Sequence, residues 1–285
     1  MAKVGLVLEG GAMRGLYSAG VLDIFMDNNI QVDGIIGTSA GALFGVNYFS
    51  NQRGRVIRYS KRFCGDIRYI SKTSLLLTGN VVNKNFAFYK VTKKLDVFDN
   101  ETFVKTNKDY YAVATNIETG NAEYLKITDP INQLECLRAS SAVPLVSRVV
   151  EIDDKKYLDG GVSDSIPIEK CIELGYDKII VVLTQPLDYR KHKLSSSKEK
   201  MVSKRYKKYP NLIVSMIDRH NNYNSAIEKI IELEKQNKIF VVRPSEKIDI
   251  KLIERNKEKL QQVYELGQKD ARNKVKSLKK YLERN

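Results

Sequence analysis

The first forty residues predict an α/β fold of three layers with a central, mostly parallel sheet. V4-G-L-V-L8 is an apolar run with no polar alternation, the pattern of a strand covered on both faces. From Ala12 to about Met26, Leu16, Ala19, Leu22, Ile24 and Phe25 can line one helix face, which Asp27-Asn28-Asn29 brings to a stop. V32-D-G-I-I36 reads as a second strand, G37-T-S-A-G41 turns, and Ala42-Leu43-Phe44 opens another helix. A right-handed crossover makes the two strands parallel, so their C-terminal ends, with Gly10 to Ala12 and Ser39, fall at one edge of the sheet.

Residues 51–110 mix Arg and Lys with Tyr and Phe and read as a cap over one edge of the sheet. Y111-A-V-A-T115 and A122-E-Y-L-K126 flank a turn at N116-I-E-T-G120, and V149-V-E-I152 and K156-Y-L158 flank Asp153-Asp154 in the same way. The last of these strands delivers Asp159 into Gly160-Gly161. K178-I-I-V-V-L183 is a further buried strand. A polar stretch from Asp188 to about Tyr209 follows, then helices interrupted by a polar break at R219-H-N-N222. A short strand at I239-F-V-V-R243 and an amphipathic helix from about Asn256 complete the chain. The expected division is an α/β domain over 4–185 and a basic, helical C-terminal appendage over 186–285 packed on it.

A chain of 285 residues, 42% of them hydrophobic, can bury a full core. Cys64, Cys136 and Cys171 are odd in number and far apart, which suits reduced thiols in the cytoplasm better than a disulfide framework. The apolar run after Met1-Ala2-Lys3 stops at Glu9, too short for a signal-peptide core, and no later run reaches membrane-spanning length. These features imply a soluble cytoplasmic protein. Its formal charge of +14 favours anionic partners. The basic residues fall in no nucleic-acid-binding module, so no nucleic acid is expected and an acidic membrane surface is the better fit.

G37-T-S-A-G41 matches G-x-S-x-G, in which a serine sits on a strained strand-to-helix turn and the flanking positions must be tiny. The bland alternative is a glycine-rich connection with Ser39 as a helix N-cap. E9-G-G-A-M-R-G15 occupies an equivalent turn, and backbone N–H groups aimed from it could hold an oxyanion, since donors fixed in advance need no reorganisation as charge develops. A dinucleotide fingerprint fits worse: Ala12 stands at the third position, and no acid follows the second strand to bind ribose. Arg14 either orients this loop or attracts an anionic headgroup; the alternative is an ordinary solvated charge.

A nucleophilic serine needs a proton acceptor, and the chain has only two histidines. His192 lies in R190-K-H-K193 with no carboxylate adjacent, and His220 lies in the polar break; both read as surface residues. Asp159 follows a strand and precedes two glycines that let backbone pass close beside it. An exposed carboxylate, with a pKa near about 3.9, is a weak base, so the site would have to desolvate it. The competing reading of D159-G-G161 is a hairpin exit.

G10-G-A-M-R-G15, G37-T-S-A-G41 and D159-G-G161, in that order, resemble the patatin-like phospholipase family, especially its bacterial members, over about residues 4 to 185. L137-R-A-S-S-A-V-P144 is similar to a further segment of that family, and T115-N-I-E-T-G120 and Y264-E-L-G-Q-K-D-A271 also look like bacterial members. The resemblance implies lipid acyl hydrolysis without calcium or any cofactor, with Ser39 as nucleophile and Asp159 as proton acceptor. It implies an oxyanion hole from the amides of Gly10, Gly11 and Ala12, supported by Arg14, Gly15, Gly37, Gly41, Gly160 and Gly161. Ala12 departs from the usual third glycine. A non-catalytic lipid- or phosphoanion-binding protein is the alternative reading. Finally, residues 190–208 carry nine Lys or Arg against one Glu, with Leu194, Met201, Val202 and Tyr206 interleaved as shallow anchors for an anionic membrane or, more blandly, a solvated linker.

Overall fold

The computed structural model describes residues 2–284; Met1 and Asn285 lie outside them. One sheet of eight strands organises the chain. Its parallel part runs in the order β3 (Asp109–Asn116), β2 (Gly34–Thr38), β1 (Val4–Leu8), β7 (Lys178–Val182), β8 (Ile239–Val242). β4 (Ala122–Lys126) runs antiparallel to β3, and β5 (Val150–Ile152) and β6 (Lys155–Asp159) form the hairpin read from the sequence. The second strand starts at Gly34 rather than Val32, because the Asp33 carboxylate accepts the Val4 N–H and the parallel register opens only at Gly5 opposite Gly34.

The strict two-residue period of the strands makes both faces apolar. Leu6, Leu8, Ile35, Ile180 and Val182 face one core, with α1 (Gly15–Asp27), α2 (Ala40–Phe49) and α10 (Lys257–Glu283). Val7, Ile36, Val113, Ile179 and Val181 face the other, with α7 (Ile168–Glu173) and α9 (Pro210–Lys235). The expected cap consists of α3 (Arg55–Arg62), α4 (Lys72–Thr78), a widely wound helical segment over Lys84–Leu95, and α5 (Asn100–Lys105). α6 (Leu134–Ser140) crosses behind the β5–β6 hairpin.

Two expectations about the C-terminal third are corrected. R219-H-N-N222 is no break: α9 runs through it, because Leu212, Met216, Tyr223, Ile227 and Ile230 keep one buried face on both sides of the tetrad. The stretch after Asp188 holds α8 (Ser196–Arg205), and Val202 and Tyr206 are buried core residues rather than shallow anchors. Tyr206 also receives the Leu145 N–H on its hydroxyl.

The C-terminal region is fastened to the sheet core at two places. β8 extends the sheet beside β7, and α10 lies backbone to backbone on α1. A methyl group at Gly20 would stand 2.1 Å from the Tyr264 carbonyl oxygen, and one at Gly267 would stand 2.1 Å from that of Tyr17. Hydrogen bonds from Tyr264 to Asp23 and from Tyr17 to Asp270 flank this crossing. The Y264-E-L-G-Q-K-D-A271 segment is thus a helix-crossing motif. Gly267→Leu should separate the helices and cost about 3 kcal/mol or more, read as a fall in chemical-denaturation midpoint; an unchanged midpoint would show that the crossing carries no stability.

Candidate active site

The end of β2 and the end of β6 meet head-on along one edge of β3. Val113 pairs with Thr38, and the next residue of β3, Ala114, pairs with Asp159. Since β4 occupies the other edge over Tyr111 to Thr115, β2 and β6 share an edge and their terminal residues abut. Ser39 and Asp159 are 120 residues apart, yet the Ser39 Oγ donates to Asp159 Oδ2 at 2.7 Å in a buried hydrogen bond.

Ser39 has φ 55° and ψ −120°, backbone space that L-residues avoid at a cost of order 1–3 kcal/mol. Its N–H donates to Ser140 Oγ at 2.9 Å and its carbonyl accepts from Leu43 N–H at 3.0 Å, which fix the strained turn. Ser39 holds no side-chain N-cap bond, so the capping alternative fails. Gly37 and Gly41 are required by space: a Cβ at Gly37 would lie 2.6 Å from Ala42 N, and one at Gly41 2.5 Å from Leu8 O.

Asp159 is held on its other oxygen by the Gly161 N–H, Oδ1 accepting at 2.7 Å, and Gly160 turns tightly against the Val113 carbonyl. Burial raises the Asp159 carboxyl above the ordinary carboxylate range, against the Ser39 hydrogen bond, the Arg219 charge, the Gly161 N–H and the Lys191 charge. Arg219 and Lys191 were singled out neither by motif nor by spacing; one sat in the supposed break, the other in a basic run. Burial, followed by the Arg219 charge, pushes Lys191 down to about 8, while Glu9 and Asp159 hold it up.

The glycine loop lies beside this pair. The Gly10 N–H donates to the Ser165 carbonyl at 3.1 Å, so it is already committed, whereas Gly11 and Ala12 donate to no backbone acceptor among the described residues. A side chain at Gly11 would strike Thr184, its Cβ 2.6 Å from Oγ1. Ala12 has φ 48°, which explains why glycine suits this position, and it lines the adjoining cavity. Glu9, at the end of β1, is buried and accepts from Thr184 N–H and the Tyr223 hydroxyl; burial raises its carboxyl. Arg14 closes the loop and Gly15 opens α1.

Ser39 borders a mostly apolar cavity, partly open to solvent, with walls that include Met13, Leu43, Phe44, Ile70, Phe88 and Leu137. The cap supplies one wall of it. Neither histidine is close to the pair by hydrogen bond: His192 is exposed, and His220 Nδ1 lies 3.0 Å from the Ile217 carbonyl of its own helix. Among the described residues no three His, Cys, Asp or Glu side chains gather as metal ligands, and no helix is long and apolar enough to cross a membrane.

A family model described as patatin-like phospholipase matches residues 6–172, and one described only as a domain of unknown function matches residues 209–283. The uncharacterized protein YjjU of Escherichia coli is 30% identical over 188 residues, 65% of this chain and 52% of that protein. The probable lipid hydrolase 463L of Invertebrate iridescent virus 6 is 25% identical over 262 residues, 81% of this chain and 89% of its own. The lysophospholipase NTE1 of Chaetomium globosum is 26% identical over 189 residues, 65% of this chain and 12% of that protein. The chain thus spans about half the length of the first relative, most of the second and a small part of the third.

The raised Asp159 carboxyl is also a statement about stability. Above its folded-state pKa the carboxylate is held in an environment that disfavours it relative to the unfolded chain, and below about 3.9 it is protonated in both states and the penalty disappears. Asp159→Asn should therefore raise the melting temperature at neutral pH, the gain fading on acidification. A lower melting temperature at pH 7 would mean that the ionised carboxylate is a net stabiliser.

Proposed function

The chain belongs to the patatin-like phospholipase family, and on that premise we propose that it is a serine acyl hydrolase acting on fatty-acyl esters of phospholipids through Ser39 and Asp159. The observation that carries this reading is the buried 2.7 Å hydrogen bond from the Ser39 hydroxyl to Asp159. The names borne by the viral and fungal relatives, lipid hydrolase and lysophospholipase, support the substrate class.

Ser39 Oγ attacks the ester carbonyl carbon while its proton passes to Asp159 Oδ2. The raised basicity of the buried carboxylate brings it closer to the task than an exposed one. The developing oxyanion is received by the Gly11 and Ala12 N–H groups, because that of Gly10 is occupied. Protonated Asp159 then gives its proton to the departing alcohol, the C–O bond breaks, and an acyl-Ser39 ester remains with its chain in the apolar cavity. Water, losing its proton to the same carboxylate, attacks this ester, and the proton returns to Ser39 as the fatty acid leaves. No step calls on calcium. The exposed Lys198, Lys200, Lys204, Arg205, Lys207 and Lys208 supply an electrostatic attraction to anionic bilayers, each worth about 1 kcal/mol close to the surface.

Ser39→Ala and Asp159→Asn should each lower hydrolysis of a lysophospholipid about a thousandfold or more, while replacing His192 and His220 together by Ala leaves most of it. A folded but inactive double-histidine variant would refute the Ser–Asp reading, as would a Ser39 that resists a serine-directed phosphonate. Chelator should not change turnover. Because the ionised form of Asp159 is the base, kcat/KM should rise with pH through a midpoint above about 3.9; a midpoint below it would contradict the desolvated base.

The basic face gives a separate expectation. The chain should sediment with anionic but not zwitterionic vesicles at low salt and be released as salt rises. Changing Lys204, Arg205, Lys207 and Lys208 to Gln should weaken this; equal binding by that variant would place the docking surface elsewhere.

A further inference from the structure

Lys191 and Arg219 stand beside Asp159, and Arg14 faces Lys191 and Glu9; none of the three has a carboxylate of its own. Arg14, Lys191 and Arg219 are all half-buried, and among the described residues none of their side chains makes a hydrogen bond or an ion pair; the Nε atoms of Arg14 and Arg219 are wholly shielded and unsatisfied. Arg55 shows how this chain treats a cation that is merely structural. It is buried in the cavity wall, ion-paired to Asp96 at 3.3 Å and hydrogen-bonded to the Asp96 carbonyl and Asn47. The trio has no such arrangement.

The C-terminal region places two of the three. Arg219 and Tyr223 lie one turn apart on α9, and the Lys191 ammonium sits 4.4 Å from the centre of the Tyr223 ring. Asn224 of the same helix clamps the Lys191 backbone, accepting its N–H at 2.8 Å and donating to its carbonyl at 3.1 Å. Arg219 Nη2 and Asp159 Oδ1 both crowd the place where a Cβ on Gly161 would stand, at 3.0 and 2.9 Å. Lys191 senses the charges of Arg219, Glu9, Arg14 and Asp159 together. With Glu9 and Asp159 both ionised the group retains a surplus positive charge, and holding unpaired cations away from water is costly unless a ligand anion completes them.

We propose that Arg14, Lys191 and Arg219 form a receptor for the phosphate of a lipid headgroup, set beside Ser39 and outside the apolar cavity. Ser39 lines that cavity and none of the three cations does, while Asp159, bonded to Ser39, has Arg219 close by at Gly161. An amphiphile with its chain in the cavity and its phosphate against the cations presents the intervening ester to Ser39. Two guanidinium groups favour the tetrahedral, multiply accepting phosphate. The assignment rests on the hydrolase reading for the lipid nature of the ligand, and it extends that reading to headgroup selection by Lys191 and Arg219, outside 4–185, together with Arg14 of the glycine loop.

Binding is best measured on the full chain carrying Ser39→Ala, which keeps ligands intact whether or not the parent is a hydrolase. Calorimetric titration with a lysophosphatidate, the monoacylglycerol of the same chain length, and inorganic phosphate, all below micelle concentrations, separates the contributions. The phosphate lipid should bind about tenfold or more tightly than the uncharged lipid, with the difference shrinking in added Lys191→Met and Arg219→Gln and declining with salt in the unsubstituted trio. Equal affinities for the two lipids, a preference retained by both variants, or a preference indifferent to salt would overturn the proposal. Inorganic phosphate binding as tightly as the lipid would overturn the headgroup assignment in favour of a free-anion site. Loss of the hydrolase reading would appear instead as absent turnover of every ester by the unsubstituted chain, with this binding preference intact.

Discussion

Everything at the site depends on two strands ending against each other along a third. Because β2 and β6 share one edge of β3 and run toward each other, the first residue beyond β2 and the last residue of β6 are forced to the same level. The hydrogen bond between Ser39 and Asp159 follows from this register, as does its burial, since β3 backs the junction and α6 contributes Ser140 from the side. A slip of one residue in the β3–β6 pairing would turn the carboxylate to the other face of the sheet.

The same enclosure sets the electrostatics. Removing Asp159 from water raises its affinity for a proton, and the nearby cations keep that rise within bounds. Glu9 is the counterpart on the glycine loop, buried and tied to Thr184 and Tyr223, so that β1, β7 and α9 converge behind the loop. Each of these groups would be expensive alone. Together they form a polar seam between two apolar cores, and Ser39 lies where that seam meets the large cavity.

The C-terminal third is therefore joined to the site as well as to the sheet. β8 and α10 anchor it mechanically, through β7 and through the close crossing at Gly20 and Gly267. α9 carries Arg219 and Tyr223 to the seam and fixes Lys191 through Asn224. The family match ends at residue 172, and the residues that surround Asp159 with positive charge lie beyond it.

Local pattern alone determined a great deal. Apolar runs marked β1, β3, β7 and β8, turn residues marked both hairpins, and the glycines of G37-T-S-A-G41 marked a strained turn, because each of these is dictated by neighbours within a few residues. Ser39 and Asp159 were legible for the same reason, each being a polar residue at a strand end with glycines within two positions. What the tertiary structure decided depends on distance in the chain. Whether the Gly10 N–H is free depends on Ser165, whether Val202 and Tyr206 meet lipid or core depends on α8 folding inward, and whether Arg219 is an idle surface charge depends on which face of α9 packs on the sheet. Charged residues in a polar stretch carry no periodic mark of burial, so Lys191 and Arg219 could be distinguished from their solvated neighbours only once α9 had placed them beside a carboxylate from 120 residues along from Ser39.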